Sequence, residues 1–231
     1  VDTKDPIFKV SVEAGAKPGQ KYVSSSVVRV LLKAEDDNVD PAKLVVTDNG
    51  EVIHDVKWFA NTASLAIIED GTHKIELSGT DAVGNTGEPS SVSFVLDTIA
   101  PDVTPSLSGS IGNNGVYRGQ VTVSFSLGDE PNEDTNNYHW TATRTLPNQQ
   151  PEEISLTATN FKTYPFTADG TYHITFYAVD LAGNVSETKS VDFAIDATAP
   201  QAQIIAPEGT VTNDANVTFN IRKPMWEGLT A

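Results

Sequence analysis

Cysteine is absent from the 231 residues. That excludes a disulfide scaffold, thiol catalysis and cysteine-ligated zinc. Long apolar runs are missing too: no stretch approaches 18 consecutive apolar residues, so no segment reads as a helix crossing a membrane. No signal peptide opens the chain. Because the text starts inside a repeat, it is expected to be a cut from a longer protein. Basic residues are scarce, 15 against 31 acidic ones, for a net charge of −16. A field of that sign repels nucleic acid and anionic lipid, and attracts cations.

The signatures of catalysis are also lacking. The histidines, His54, His73, His139 and His173, show no HExxH spacing. No nucleophile-elbow sequence occurs. The glycine-rich "GSIGNNG" (109–115) is not followed by GK[ST], so it reads as a hairpin turn and not a phosphate loop. Each histidine reads as structural, and the chain is not expected to be an enzyme. Trp140 reads as a core residue of a sandwich strand. Trp58, Trp140 and Trp226 together would serve the alternative of a glycan-binding surface. "NVS" at Asn184 matches a glycosylation pattern, but Asn184 already sits in a turn.

What is present is a repeat. "DGTHKIELSGTDAVGNTGEPSSVSFVLDTIAP" (70–101) aligns without a gap on "DGTYHITFYAVDLAGNVSETKSVDFAIDATAP" (169–200). Fourteen of the 32 positions are identical, each pair 99 residues apart. "VDTKDP" at the start reads like "LDTIAP" and "IDATAP". A period near one hundred residues fixes the organisation better than length does. Residues 1–97 form one unit and 98–196 a second. Residues 197–231 begin a third, too short to bury a core alone.

Within each unit apolar residues alternate. "VTVSFSL" (121–127), "SVSFVL" (91–96) and "SVDFAI" (190–195) each put one face inward, as half-buried strands do. Gly, Pro, Asn and Asp punctuate them every eight to twelve residues or so, the spacing of an all-β sandwich. "DGT" is a tight turn into strand F, "DAVGN" and "DLAGN" are the F–G turns, and the final strand is G. "VVRVLLK" (27–33) and "VTVSFSL" are the two B strands, each running into an acidic loop, "AEDDNVD" or "GDEPNEDTNN". "VTFNI" (217–221) is strand B of the third unit, but the basic "RKPMWEG" that follows breaks the acidic pattern.

The "DGTY", "DLAGN" and "DATAP" text resembles the bacterial Ig-like domains found in tandem arrays in large surface adhesins and multimodular secreted proteins. The resemblance covers both full units and the start of the third. It implies tandem immunoglobulin-like β-sandwiches on an extracellular, cell-surface stalk, cell adhesion for the parent protein, and calcium at domain junctions in some members. The partners it implies are neighbouring Ig-like repeats of the same chain. A cell-surface or glycan ligand is expected to be bound elsewhere in the parent. The alternative is a spacer or glycan-binding accessory module of a secreted polysaccharide-degrading enzyme, which an exposed row of aromatics would favour.

Ig topology gives the acids a geometry. B–C and F–G loops share the leading end of a sandwich, and A–B and E–F loops the trailing end. Asp81 and Asp97 lie at opposite ends of strand G, about 23 Å apart at about 3.3 Å per residue. Asp97 leaves unit one where unit two presents Asp180, Asn184 and Asp129, with Asp70 of the E–F turn facing the same place. These are the expected calcium ligands, since calcium takes six to eight oxygens. The same set is expected at the start of unit one, from Asp2, Asp5, Glu35, Asp36, Asp81 and Asn85, and half of it at the end of unit two, with Asp169 and Asp196. The bland reading is that Asp81 and Asp180 cap their own turns through Asx bonds.

Overall fold

The structure is a computed structural model that describes residues 2–112, 114–128, 137–156, 162–205 and 218–222. Its contacts divide the chain into two compact units. The first is built on Val1–Ala100 and counts Val179–Val185 with it; the second takes most of the chain from Pro101 onward. Among the described residues every regular element is a strand except one 3₁₀ turn, Pro41–Lys43.

In the first unit, β1 (Ile7–Ala14), β3 (Val28–Glu35) and β6 (Thr62–Ile67) make one antiparallel sheet in the order β1-β3-β6. The facing sheet runs β2-β8-β7-β4-β5, from β2 (Tyr22–Val23), β4 (Leu44–Asp48), β5 (Glu51–Val52), β7 (Gly71–Gly79) and β8 (Ser90–Leu96). Only β2 is parallel to its neighbour, with Tyr22 opposite Val95. In Ig letters these are an A-B-E sheet and an A′-G-F-C-C′ sheet, the Greek-key sandwich. The period-two pattern explains the core. Val28, Val30, Leu32 and Ala34 of β3 are fully buried, and they meet Ile75 and Leu77 of β7 and Phe94 and Leu96 of β8.

The second unit repeats this order. It contains β9 (Val103–Ile111), β10 (Tyr117–Leu127), β11 (Tyr138–Thr145), β12 (Glu152–Glu153), β13 (Thr163–Phe166), β14 (Gly170–Ala178) and β15 (Lys189–Ile195). Strand β10 is long enough to serve both sheets. Its start lies parallel to β15, Tyr117 opposite Ile195, as β2 lies on β8. Its remainder pairs with β9 and β13 as strand B. β14 pairs with β11 and β15, so F and G fall where the repeat predicts them. "GSIGNNG" belongs to the β9–β10 hairpin, closed by Gly112 N–H on Val116 O at 2.8 Å.

Phe94, Leu96, Phe193 and Ile195 are buried as the alternation predicts. Val92 and Val191, nearer the strand starts, are only half-buried against the same cores. Beyond the second unit, β16 (Gln201–Ile205) and β17 (Thr218–Arg222) pair antiparallel, Gln201 opposite Arg222. By contacts this two-stranded pair is counted with the second unit.

Candidate metal centre and the turns that build it

Five residues, "DAVGN", close the F–G turn of the first unit. Gly84 takes φ +104°, a left-handed conformation that a side chain resists. This curls the N–H groups of Val83, Gly84 and Asn85 onto Asp81 Oδ1, at 2.9, 2.6 and 2.8 Å. The Asn85 amide donates to Asp81 Oδ2 at 2.7 Å. Asp81 is 1% exposed. Burial pushes its titration up, but the donors from Asn85, Gly84 and Val83 outweigh that and hold it below the ordinary 3.8.

"DLAGN" builds the same turn 99 residues on, with Gly183 at φ +96°. Gly183 and Asn184 N–H donate to Asp180 Oδ1 at 2.7 and 2.8 Å. The Asn184 amide donates to Asp180 Oδ2 at 2.8 Å. Within the first compact unit it also reaches Asp97 O at 2.9 Å and Ile99 O at 3.2 Å. The nitrogen of the "NVS" pattern is therefore spent on hydrogen bonds.

Around Asp81 the leading end gathers two more acids. One carboxylate oxygen from each of Asp2, Asp36 and Asp81 lies within 4.8 Å of the others. Asn38 organises them: its amide donates to Asp2 Oδ2 at 2.6 Å, its N–H to Asp36 Oδ1 at 2.7 Å, and its carbonyl accepts from Ala82 N–H at 2.8 Å. The Lys4 N–H foremost, then the Asn38 amide, hold Asp2 below its usual 3.8, against burial and the like charge of Asp81. Among the described residues this is the one acidic group tight enough for an ion.

Other expected ligands lie elsewhere. Glu35 faces away, bonded to Lys33 and Lys9 at 2.7 Å each, and these bonds, Lys33 first, pull its titration down to about 2. Asp5 is exposed and outside the group. Asp70 spends both oxygens on Thr98: Oδ1 accepts its N–H at 3.1 Å and Oδ2 its hydroxyl at 2.9 Å. Asp169 repeats this on Ala197 N–H at 2.7 Å and on the Thr198 hydroxyl. These two aspartates clamp the chain as it leaves strand G. Asp97 is 4% exposed, and its Oδ1 accepts from Ile99 N–H at 3.1 Å. The Asp196 N–H donates to Tyr117 O at 2.8 Å. Asp129 lies outside the described residues, as does Trp226.

Sequence reasoning missed the Asp70 and Asp169 clamps. The available signal was a "DG" turn followed 27 residues later by "DT" or "DA" in both repeats.

The turn carboxylates fix a pH direction. Asp81 and Asp2 titrate below their ordinary value, so their contribution is complete above about 3.8 and is lost as the pH falls through their folded values. The expected result is that amide protection of Val83–Asn85 holds from neutral pH to about 4 and then falls. Hydrogen exchange read by NMR along an acid titration checks this; protection unchanged down to pH 2 would contradict it.

No protein-family model matches this sequence, and no curated protein matches it. Solved structures do. The tetra-tandem repeat in the extending region of a large adhesion protein is 20% identical, with a TM-score of 0.42, over 94% of this chain. This chain spans 56% of that one. The fibronectin(III)-like modules of Clostridium thermocellum CbhA are 12% identical at TM-score 0.33, over 81% of this chain and 94% of theirs. The FN1–FN3 domains of chicken CNTN1 are 12% identical at TM-score 0.39, over 87% and 72%. The strand order itself decides the class: the chain is built of tandem immunoglobulin-like β-sandwich modules.

Proposed function

We propose that these modules are non-catalytic spacers in an extracellular stalk, as in a cell-surface adhesin, stiffened by calcium at the leading end of each repeat. The observation that carries this reading is the Asp2–Asp36–Asp81 group. In sequence, the "VDT" start, the acidic B–C loop and the F–G turn recur as "LDT", "GDE" and "DLAGN", which carry Asp97, Asp129 and Asp180. Three carboxylates this close repel one another unless a cation neutralises them. They are hard oxygen ligands, and carbonyls and water complete a calcium shell. An ion bound by the first residues of a module, its B–C loop and its F–G turn would fix the direction from which the chain arrives. The neighbouring repeats of the same chain are the partners.

The glycan-binding alternative calls for a row of exposed aromatics. Trp58 and Trp140 instead pack against the two cores, and Phe59 is the one large aromatic among the strongly exposed hydrophobics of the described residues.

Titration calorimetry with calcium tests the reading. The expected dissociation constant is about 10⁻⁴ to 10⁻³ M. At roughly 2 mM free calcium that adds about 0.6–2 kcal/mol per site. Asp36→Asn keeps the cap on Asn38 but removes a charge, and should abolish binding at the first site. Asp129→Asn should do so at the second. Chelation should broaden the interdomain angles seen by small-angle scattering. No heat of binding at 5 mM calcium, with identical scattering in calcium and chelator, overturns the proposal.

A further inference from the structure

Positions 73 and 172 are equivalent in the repeat and hold different residues. Tyr172 is buried against Phe193, ring centroids 4.9 Å apart, and its hydroxyl donates to Ala168 O, four residues back, at 2.6 Å. This is the tyrosine corner of an Ig sandwich, which pins the E–F turn to strand F. His73 does the same work in the first module. It is 8% exposed, it lies 5.5 Å from Phe94, and its Nε2 is 2.9 Å from Glu69 O, again four residues back.

An imidazole has a second nitrogen. His73 Nδ1 sits 2.6 Å from Asp48 Oδ2, at the end of strand C, and Asp48 Oδ1 accepts the Lys74 N–H at 3.2 Å. A carbonyl and a carboxylate both only accept. A neutral ring donates from one nitrogen, whereas a doubly protonated ring donates from both. Only a ring carrying two protons, or one sharing a proton with Asp48, satisfies both contacts.

We propose that His73 and Asp48 form a proton-dependent lock on the E–F corner of the first module, where the second module has a tyrosine that needs no added proton. With the proton present, the ring ties strand C, strand F and the E–F turn together. Loss of the proton breaks one of the two bonds and frees the corner next to the Asp70 clamp. Of the other charged groups at the corner, the Glu69 side chain is exposed to solvent, and two more are engaged. Asp70 is held by Thr98, and Lys74 Nζ pairs with Glu76 at 2.8 Å. Phe94 on strand G brings no charge. Stability from the lock is therefore present on the acid side and lost as the pH rises, opposite in direction to the turn aspartates.

The test uses the whole chain in chelator, so that its outcome does not depend on calcium. Protection factors of β7 amides should fall about tenfold or more between pH 5.5 and 8.0, the loss of one charge-assisted bond. The amide of Tyr172, at the equivalent corner of the second module, should change far less; the rest of β14 is left out of the comparison because His173 pairs with Asp192 at 2.7 Å on its exposed face. Long-range ¹H–¹⁵N spectra should show protons on both His73 nitrogens at pH 6. His73→Tyr should keep β7 protected and remove the pH dependence. Asp48→Asn should also remove it, at lower protection. If a variant does not fold, the ring spectra and the two-module comparison on the native chain still decide. A His73 ring with one proton at pH 6, or equal β7 protection at both pH values, overturns the proposal.

Discussion

Phe176→Ala should cost the second module about 3–5 kcal/mol, the usual range for removing a buried phenylalanine. Phe176 lies on strand F, 2% exposed. Its ring stacks on Phe125 of strand B, centroids 3.6 Å apart, and lies 6.1 Å from Trp140 of strand C. Phe125 and Trp140 are themselves 4.0 Å apart. The three rings join the two sheets, so truncation leaves a cavity that no small shift of one strand can fill. Against a typical domain stability of about 5–15 kcal/mol, the loss removes much of the margin. In the first module the same position is Leu77, also fully buried, and Leu77→Ala should cost about 2–5 kcal/mol there. Denaturant unfolding followed through the tryptophan signal of the second module checks the first value. A loss under about 1 kcal/mol would mean that this aromatic cluster does not carry the core.

Strands B, F and G were legible in the sequence because their side chains alternate against one core, and burial leaves one register for such a strand. The F–G turn was legible because its hydrogen bonds are local: Asp81 and Asn85 are four residues apart. The Asp2–Asp36–Asp81 group followed from Ig topology and local turns together. Glu35 was misplaced because it precedes Asp36 by one residue; as the last residue of β3 it faces the opposite way and meets Lys9 across the β1–β3 pair. The Asp70 clamp escaped for another reason. A turn aspartate takes the nearest strong donors, and Thr98 offers both an N–H and a hydroxyl, 28 residues away in sequence and adjacent in space. His73 reads as structural from sequence, but its partners Asp48 and Glu69 belong to a strand register that a single sequence does not reveal. The short β2, two residues on the edge of strand G, carries no periodicity to read.

Asp180→Ala should cost about 2–4 kcal/mol, well above an ordinary surface change. The carboxylate is 5% exposed and accepts from Gly183 N–H, Asn184 N–H and the Asn184 amide. Removing it leaves Asn184 N–H and one Asn184 amide hydrogen without their acceptor, and leaves Gly183 N–H only its longer bond to Asp180 O at 3.3 Å. The Asn184 amide, no longer fixed by Asp180, also loosens its hold on Asp97 O and Ile99 O. Asn184→Ala should therefore cost less, about 1–2 kcal/mol, and the double variant should fall short of the sum by about 0.5–3 kcal/mol, because the pair acts as one unit. Asp180→Asn is not a full rescue, since with its oxygen kept on the backbone N–H groups its amide nitrogen faces the Asn184 amide, another donor. Chemical unfolding of the three variants measures the cycle, and an Asp180→Ala loss below about 0.5 kcal/mol would contradict the role of the turn. Repeating the cycle in calcium and in chelator divides the aspartate's contribution. The loss in chelator belongs to the turn, and any further loss in calcium belongs to the ion. A turn cap alone gives the same loss in both buffers, whereas a calcium ligand gives the larger loss where calcium is present.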